Sequence, residues 1–229
     1  MSRYQTPEEV RQGFIKSMGE KLGSSFYVLW QELSWLYTKW REYVELYGAK
    51  PSRIELLNKA APRFFRIVQD VLWDEIILHI ARLTDPPESK GKTNLTIRRL
   101  SLLVEDDDLK KALNPLIELA KQKTDFCRDW RNRRIAHLDL EHNIDKEINP
   151  LKPASRKQIK EALDFIGEVL NAVTKYYRNS TTIFDIEEDS GGAVSLLYII
   201  DDGLKAEEER GDRIRRGNYT KEDLSPRDL

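Results

Sequence analysis

The stretch KQKTDFCRDWRNRRIAHLDLEH, residues 121–142, holds the side chains best suited to chemistry. Within 121–134, Lys121, Lys123, Arg128, Arg131, Arg133 and Arg134 face only Asp125 and Asp129, a local +4 in a chain of net charge −1. Arginine suits phosphate because its planar fork donates two parallel hydrogen bonds. His137 and His142, two of the three histidines, follow at once. Histidine alone has an unperturbed pKa near neutrality, so it exchanges a proton at cellular pH. Together with the amide of Asn132 these residues form a kit for cutting RNA without a metal. The 2′-hydroxyl must lose a proton and the 5′-oxygen must gain one, work that His137 can do. Charge builds on the phosphorane, where Arg131 can stabilise it, and Asn132 can orient the phosphate or the histidine. Arg131 and His137 are six positions apart, about 120° on a straight helix. Either the helix ends between them or a second copy of the chain completes the set.

A plainer reading stands beside this one. Arg131 can pair with Asp129 or Asp139, and His137 can cap a helix end. Arg128, Arg133 and Arg134 are further candidates for binding a phosphate chain. Arg82 and Asp85, in ARLTDPP, are candidates for the same cleft. Alternatively Asp85 only terminates its helix and Arg82 makes a local ion pair. His137, Asp139 and His142 do not follow a recognised metal-ligand spacing, and no metal or other cofactor is expected. His79 lies on an otherwise apolar helix and reads as a satisfied core or interface residue. Cys127, the single cysteine, reads as a small buried apolar residue.

The elements that must position these residues read as helices. Thr6-Pro7-Glu8-Glu9 is a helix start, and Gly23 is a candidate break or bend. Residues 26–47 carry 8 of the 21 aromatics. Phe26, Trp30, Leu33, Tyr37, Trp40, Val44 and Tyr47 form one row, with Leu29, Leu36 and Tyr43 beside it. So wide an apolar face fits a central core helix or one that also meets a partner. Ser52 can cap a helix over Arg53–Ala60. Pro62 starts a long one to about Leu83, which Asp85-Pro86-Pro87 stops. Residues 86–93 read as a polar loop, Asn94 as the cap of NLTIRRLSLLV, and Glu105-Asp106-Asp107-Asp108 as a solvated helix start. Asn114-Pro115 reads as the start of a helix through Trp130. Ser155 starts the last long helix, with Ile159, Leu163, Ile166, Leu170, Val173 and Tyr177 on one face. A short apolar helix over Val194–Ile200 is expected, then a charged tail over 201–229, frayed or docked on the surface.

Composition narrows the classes. The chain has 229 residues, 40% apolar and 34% charged, with only 11 glycines, which favours long solvated helices over a barrel or sandwich. The near-zero net charge excludes a globally basic, histone-like protein. No apolar run is long enough for a transmembrane helix, and MSRYQTPEEV lacks a signal peptide's apolar segment. A cytoplasmic protein with no membrane partner is expected. Neither GxGxxG nor GxxxxGK[ST] occurs, against dinucleotide enzymes and P-loop ATPases. The expected fold is all-α, one helical domain over 1–200 followed by the tail.

Arg131-Asn132-Arg133-Arg134-Ile135-Ala136-His137 resembles the signature of the HEPN superfamily: an arginine, four to six residues of which the first is polar, then histidine. Trp30 to Trp40, Asn58 to Phe65, LWDEIILHIARLTDPP, NLTIRRL, DWRNRRIAHLD and the helix from Ser155 are similar, in order, to the AbiU-like branch associated with abortive phage infection. The resemblance spans about residues 25–205. It implies a HEPN-like helical bundle with added N- and C-terminal helices, dimerising with its Arg/His motif at the interface. It also implies a metal-independent endoribonuclease of phage defence or toxin–antitoxin type, with RNA as substrate and an antitoxin or other regulator as partner. Arg131, Asn132 and His137 would be catalytic. Two alternatives remain: a non-catalytic nucleotide- or RNA-binding module using the same cleft, and a helical interaction protein docking through residues 26–47.

Overall fold

The structure, a computed structural model, describes residues 5–137, 139, 144, 150–186 and 191–225. Among the described residues it is all-α apart from one hairpin of two-residue strands, as composition and the apolar spacing imply. In chain order the helices are α1 Pro7–Met18, α2 Glu20–Tyr47, α3 Pro51–Ala60, α4 Pro62–Leu83, α5 Leu100–Leu103, α6 Asp107–Lys123, α7 Asp125–Trp130, α8 Arg156–Arg178, α9 Ala193–Arg215 and α10 Lys221–Leu224. Contacts divide the chain into two compact units, Met1–Trp40 with Leu72–Ile186, and Arg41–Val71 with Glu187–Leu229. No helix among the described residues is long and apolar enough to cross a membrane.

In the first unit α6 packs along α8. Leu109, Leu113, Ile117 and Ala120 are buried on α6, and Ile159, Leu163, Ile166, Leu170 and Val173 on α8. The starts of α1, α6 and α8 are local chemistry. Thr6 and Glu9 form a reciprocal capping box, as do Ser155 and Gln158, and Asp106 accepts the Leu109 N–H. These pairings satisfy amide donors that a helix's first turn leaves unpaired. The apolar face of α2 is taken up inside the chain: Phe26, Leu29, Leu33, Leu36, Tyr37 and Trp40 are all buried. The Phe14 ring of α1 packs at a tilt against that of Phe26, centroids 4.9 Å apart. Tyr37 donates to Asp164 at 2.9 Å, and burial next to that carboxylate raises the phenol's pKa.

Several boundaries differ from the sequence reading, each for a local reason. The break between α1 and α2 falls at Gly19, whose φ of +82° suits glycine. Gly23 lies inside α2, where a Cβ would sit 2.6 Å from the Ile15 Cα, so its missing side chain lets two backbones touch. The 86–93 loop closes as a hairpin in which Glu88 pairs with Thr93. Lys90 and Gly91 both take positive φ, the combination a tight two-residue turn needs. Asn94 does not cap a helix. Its Nδ2 donates to the Pro86 carbonyl at 2.9 Å and to Ser89 Oγ at 3.0 Å, and a 3-10 turn, Ile97–Arg99, precedes α5. Pro115 sits within α6, not at the start of a helix, because the buried face of α6 begins upstream at Leu109. Thr124 then separates α6 from α7. Ser52 makes no cap to α3, which starts at Pro51.

In the second unit Leu46, Leu57, Phe65, Ala193 and Leu197 form an apolar cluster. Tyr47 donates to the Phe65 carbonyl at 2.9 Å. The Glu42 carboxylate accepts the Ala193 N–H at 2.5 Å, an anion at the positive end of α9. That helix runs to Arg215, well past the expected end at Ile200. Its polar half is held by side-chain pairs such as Lys205 with Asp201, four residues apart. Arg213 then grips Asp223 at 3.1 and 2.6 Å, docking α10.

Candidate functional site

α4 ends at Leu83 because Asp85-Pro86-Pro87 cannot continue it. Just past that end, the buried Thr84 hydroxyl donates back to the Ile80 carbonyl at 3.0 Å. Its oxygen accepts from Thr124 Oγ1 at 3.1 Å and from Arg128 Nη1 at 3.2 Å. Arg128 Nη2 in turn donates to the Lys121 carbonyl at 2.6 Å. This hub ties the end of α4 to the junction of α6 and α7.

One step further along each element lies a second rung. Arg131, three residues after Arg128, donates from Nη1 to both oxygens of Asp85, each at 2.6 Å. Its Nε donates to Asn132 Oδ1 at 3.0 Å. Nη2 makes no hydrogen bond among the described residues. The guanidinium is therefore held on two sides and retains an open donor. Side-chain exposures of 24% for Arg131 and 21% for Asp85 leave the pair at the surface, partly shielded. Arg131 thus pairs with Asp85, not with the Asp129 or Asp139 that sequence proximity offers.

Residues Arg131–Ile135 wind as a π-helical turn, in which the Ala136 N–H reaches the Arg131 carbonyl at 2.8 Å. Such turns are rare and recur at functional sites. The helix ends there, so His137 lies beyond it and is exposed. This is the first of the two arrangements that the six-residue separation allows. His142 lies outside the described residues. Among the described residues no group of three His, Cys, Asp or Glu side chains is placed to hold a metal ion.

The remaining candidates divide. Arg128 is half-buried and braces the hub through Thr84 and the Lys121 carbonyl. Arg133 donates from Nη1 to Asp129 at 3.3 Å and to the Pro150 carbonyl at 3.1 Å. Asp129 also accepts the Lys152 N–H at 2.8 Å, and Trp130 Nε1 donates to the Lys152 carbonyl at 2.8 Å. Arg133 therefore helps stitch residues 150–152 onto α7. Arg134 stays exposed, its guanidinium 4.9 Å over the Trp130 ring and 3.9 Å from Asp74. Arg82 is exposed and donates to Glu75 at 3.1 Å. Asp85 carries negative charge and would repel a phosphate, so its place in the site is as the partner of Arg131. Cys127 is buried, as its spacing implies, and burial pushes its thiol pKa up. The local +4 is thus largely met from outside the stretch, by Asp74, Asp85, Glu118 and Glu161, which pair with Arg134, Arg131, Lys121 and Lys123. Sequence reading missed Thr84 and Thr124, whose only signal is a hydroxyl at each helix end.

The AbiU2 family model of the HEPN group matches residues 19–191, well over half of the chain. No curated protein and no solved structure gives a match. The chain belongs to the AbiU2 family of HEPN proteins.

Proposed function

We propose that this AbiU2-type HEPN protein is a metal-independent endoribonuclease acting in phage defence or toxin–antitoxin biology. The observation that carries the reading is Arg131. A guanidinium fixed by Asp85 and Asn132, with Nη2 open and His137 exposed just past a π-turn, is arranged to meet a phosphate. Arg131 binds the scissile phosphate and stabilises the charge of the phosphorane. His137 exchanges a proton with the 2′-hydroxyl or the leaving 5′-oxygen. Asn132 holds the arginine from its Nε side. The protein works as a homodimer in the cytoplasm, which brings two Arg131/His137 sets together, so that one histidine takes a proton as the other supplies one. An antitoxin or other regulator restrains it.

The test is incubation with total bacterial RNA in EDTA, comparing wild type with His137→Ala. Cleavage by wild type that leaves 2′,3′-cyclic phosphate ends, reduced at least about 100-fold in the variant, is the expected result. Equal cleavage by both proteins would sink the mechanism. A second reading, a binding module without cleavage, draws on the carboxylates that offset most of the motif's positive charge. It expects salt-sensitive RNA binding and no new RNA ends.

A further inference from the structure

α2 buries nearly all the aromatic surface it carries through the first unit, with one exception. Trp35 is 59% exposed. Its neighbours on the helix surface, one turn before and one turn after, are Gln31, Glu32, Thr38 and Lys39. All four are polar, so along α2 the indole is flanked by polar groups.

Cations stand along one side of it. Lys39 Nζ lies 6.0 Å from the Trp35 ring centroid and donates to Glu75 Oε1 at 2.7 Å. Arg82 Nη2 donates to the same oxygen at 3.1 Å. Partial burial favours the neutral Glu75 carboxyl, but the hydrogen bond and charge of the Lys39 ammonium, joined by Arg82, outweigh it and hold the pKa below its usual value, so at neutral pH it stays charged and keeps both cations in place. Arg82 is in turn bonded through its carbonyl to the Asp85 N–H at 3.4 Å, and Asp85 is the residue that orients Arg131. A continuous series of contacts therefore leads from Trp35, by Lys39, Glu75 and Arg82, to Arg131. From Glu75 to the end of α4 at Leu83 the helix rises about 12 Å at 1.5 Å per residue, the reach of a few nucleotides.

We infer that Trp35 is a base-stacking subsite of the Arg131 site, and that the substrate class is single-stranded RNA presenting an unpaired base. This rests on the ribonuclease reading for the identity of the nucleic acid. One strand places its scissile phosphate at Arg131 and a neighbouring phosphate at the exposed Arg82. It lays a splayed base on the indole. Every base has a π-face, so such a platform tolerates sequence. A paired base is already stacked within its helix and cannot use it. Glu75 keeps Lys39 beside the ring, where an ammonium also favours the electron-rich face of indole.

The test measures binding of a fluorescein-labelled, all-2′-deoxy single-stranded oligonucleotide, which cannot be cleaved, and of a blunt hairpin of the same composition. Wild type, Trp35→Ala and Trp35→Phe are compared. Trp35→Ala is expected to weaken single-strand binding by about five- to 150-fold, with hairpin binding unchanged and Trp35→Phe close to wild type. Trp35 is exposed, so the variants should keep the wild-type melting temperature. Single-strand affinity unchanged in Trp35→Ala overturns the inference, as does wild type that binds no single strand. So does a variant whose only defect is a smaller oligomer on size exclusion, which would make the indole a protein contact. The two readings fail separately. If wild type cuts no RNA while Trp35→Ala loses the single strand, the subsite stands without cleavage. If RNA is cut but Trp35→Ala binds normally, the subsite alone falls.

Discussion

Two arginine–aspartate pairs use the same chemistry for different ends. Arg213 meets Asp223 fork to fork, Nε to Oδ2 at 3.1 Å and Nη2 to Oδ1 at 2.6 Å. Asp223 accepts the Thr220 N–H as well. That pair spends one edge of the guanidinium, Nε and Nη2, on holding α10, and leaves Nη1 without a hydrogen bond among the described residues. Arg131 meets Asp85 end-on, one nitrogen reaching both oxygens, and Asn132 holds its Nε. Nη2 is left over. The first pair joins residues ten apart in sequence and the second residues 46 apart. A bidentate pair between near neighbours locks a local turn. An end-on pair between distant helices aims a donor.

The largest expected effect separates the pairs by activity. Arg131→Ala should lower RNA cleavage by about 10²- to 10³-fold, the scale for losing a donor to a developing oxyanion. Arg213→Ala should leave the rate within about twofold, since nothing ties that pair to the reacting groups. A comparable loss in both variants, measured as initial rates on one RNA, would erase the distinction.

Stability offers the next. Asp85→Ala leaves Arg131 uncompensated in a partly shielded place. It should cost about 1 kcal/mol, seen as a fall of about 2–4 °C in melting temperature. Asp223→Ala should instead release the chain's end locally, with the main transition unmoved. Limited proteolysis would then cut near residues 216–225 in that variant alone. Cutting there in Asp85→Ala and not in Asp223→Ala would reverse the assignment.

The smallest effect concerns acid. The Arg213 guanidinium, hydrogen-bonded to Asp223, holds that carboxyl well below the usual carboxylate range. A pKa lowered by folding adds stability that is complete above the ordinary value of about 4. That stability is lost as pH falls through the lowered one. Amides around α10 should therefore stay protected from hydrogen exchange at pH 7 and keep much of that protection at about pH 3. Asp223→Asn should lose protection at both. A wild-type chain deprotected at pH 3 would show that the pair is weaker than its geometry implies.

These contrasts also mark what sequence can show. Helix starts were legible wherever the device is local. Thr6 with Glu9 and Ser155 with Gln158 lie three residues apart, and Pro62 opens a helix that Pro86 and Pro87 forbid to continue. Gly19 and Gly23 were confused because a break and a close approach both call for glycine. Only the backbone of α1, brought against Gly23, tells them apart. Pro115 carries the local signal of a helix start, which the tertiary burial of Leu109 and Leu113 outweighs. Likewise α9 continues past Ile200 on pairs of surface charges that composition alone reads as a tail. At the site, the motif was legible from residue types, and the six-residue separation left a helix end before His137 as one of two alternatives. The partner of Arg131 was not legible, since spacing along one helix says nothing of a carboxylate 46 positions away. For the same reason the bonds of Arg128 to Thr84 and of Arg133 to the Pro150 carbonyl were not legible from charge alone.

The hub beneath Arg131 has a thermodynamic meaning as well. Thr84, Thr124 and Arg128 fix the end of α4 to the start of α7, so the backbone carrying Arg131 and the one carrying Asp85 do not move independently. A free arginine surrenders about 2 kcal/mol of rotamer entropy when a ligand immobilises it. Here folding has already taken that freedom away, so a phosphate arriving at Nη2 finds a side chain with little disorder left to lose.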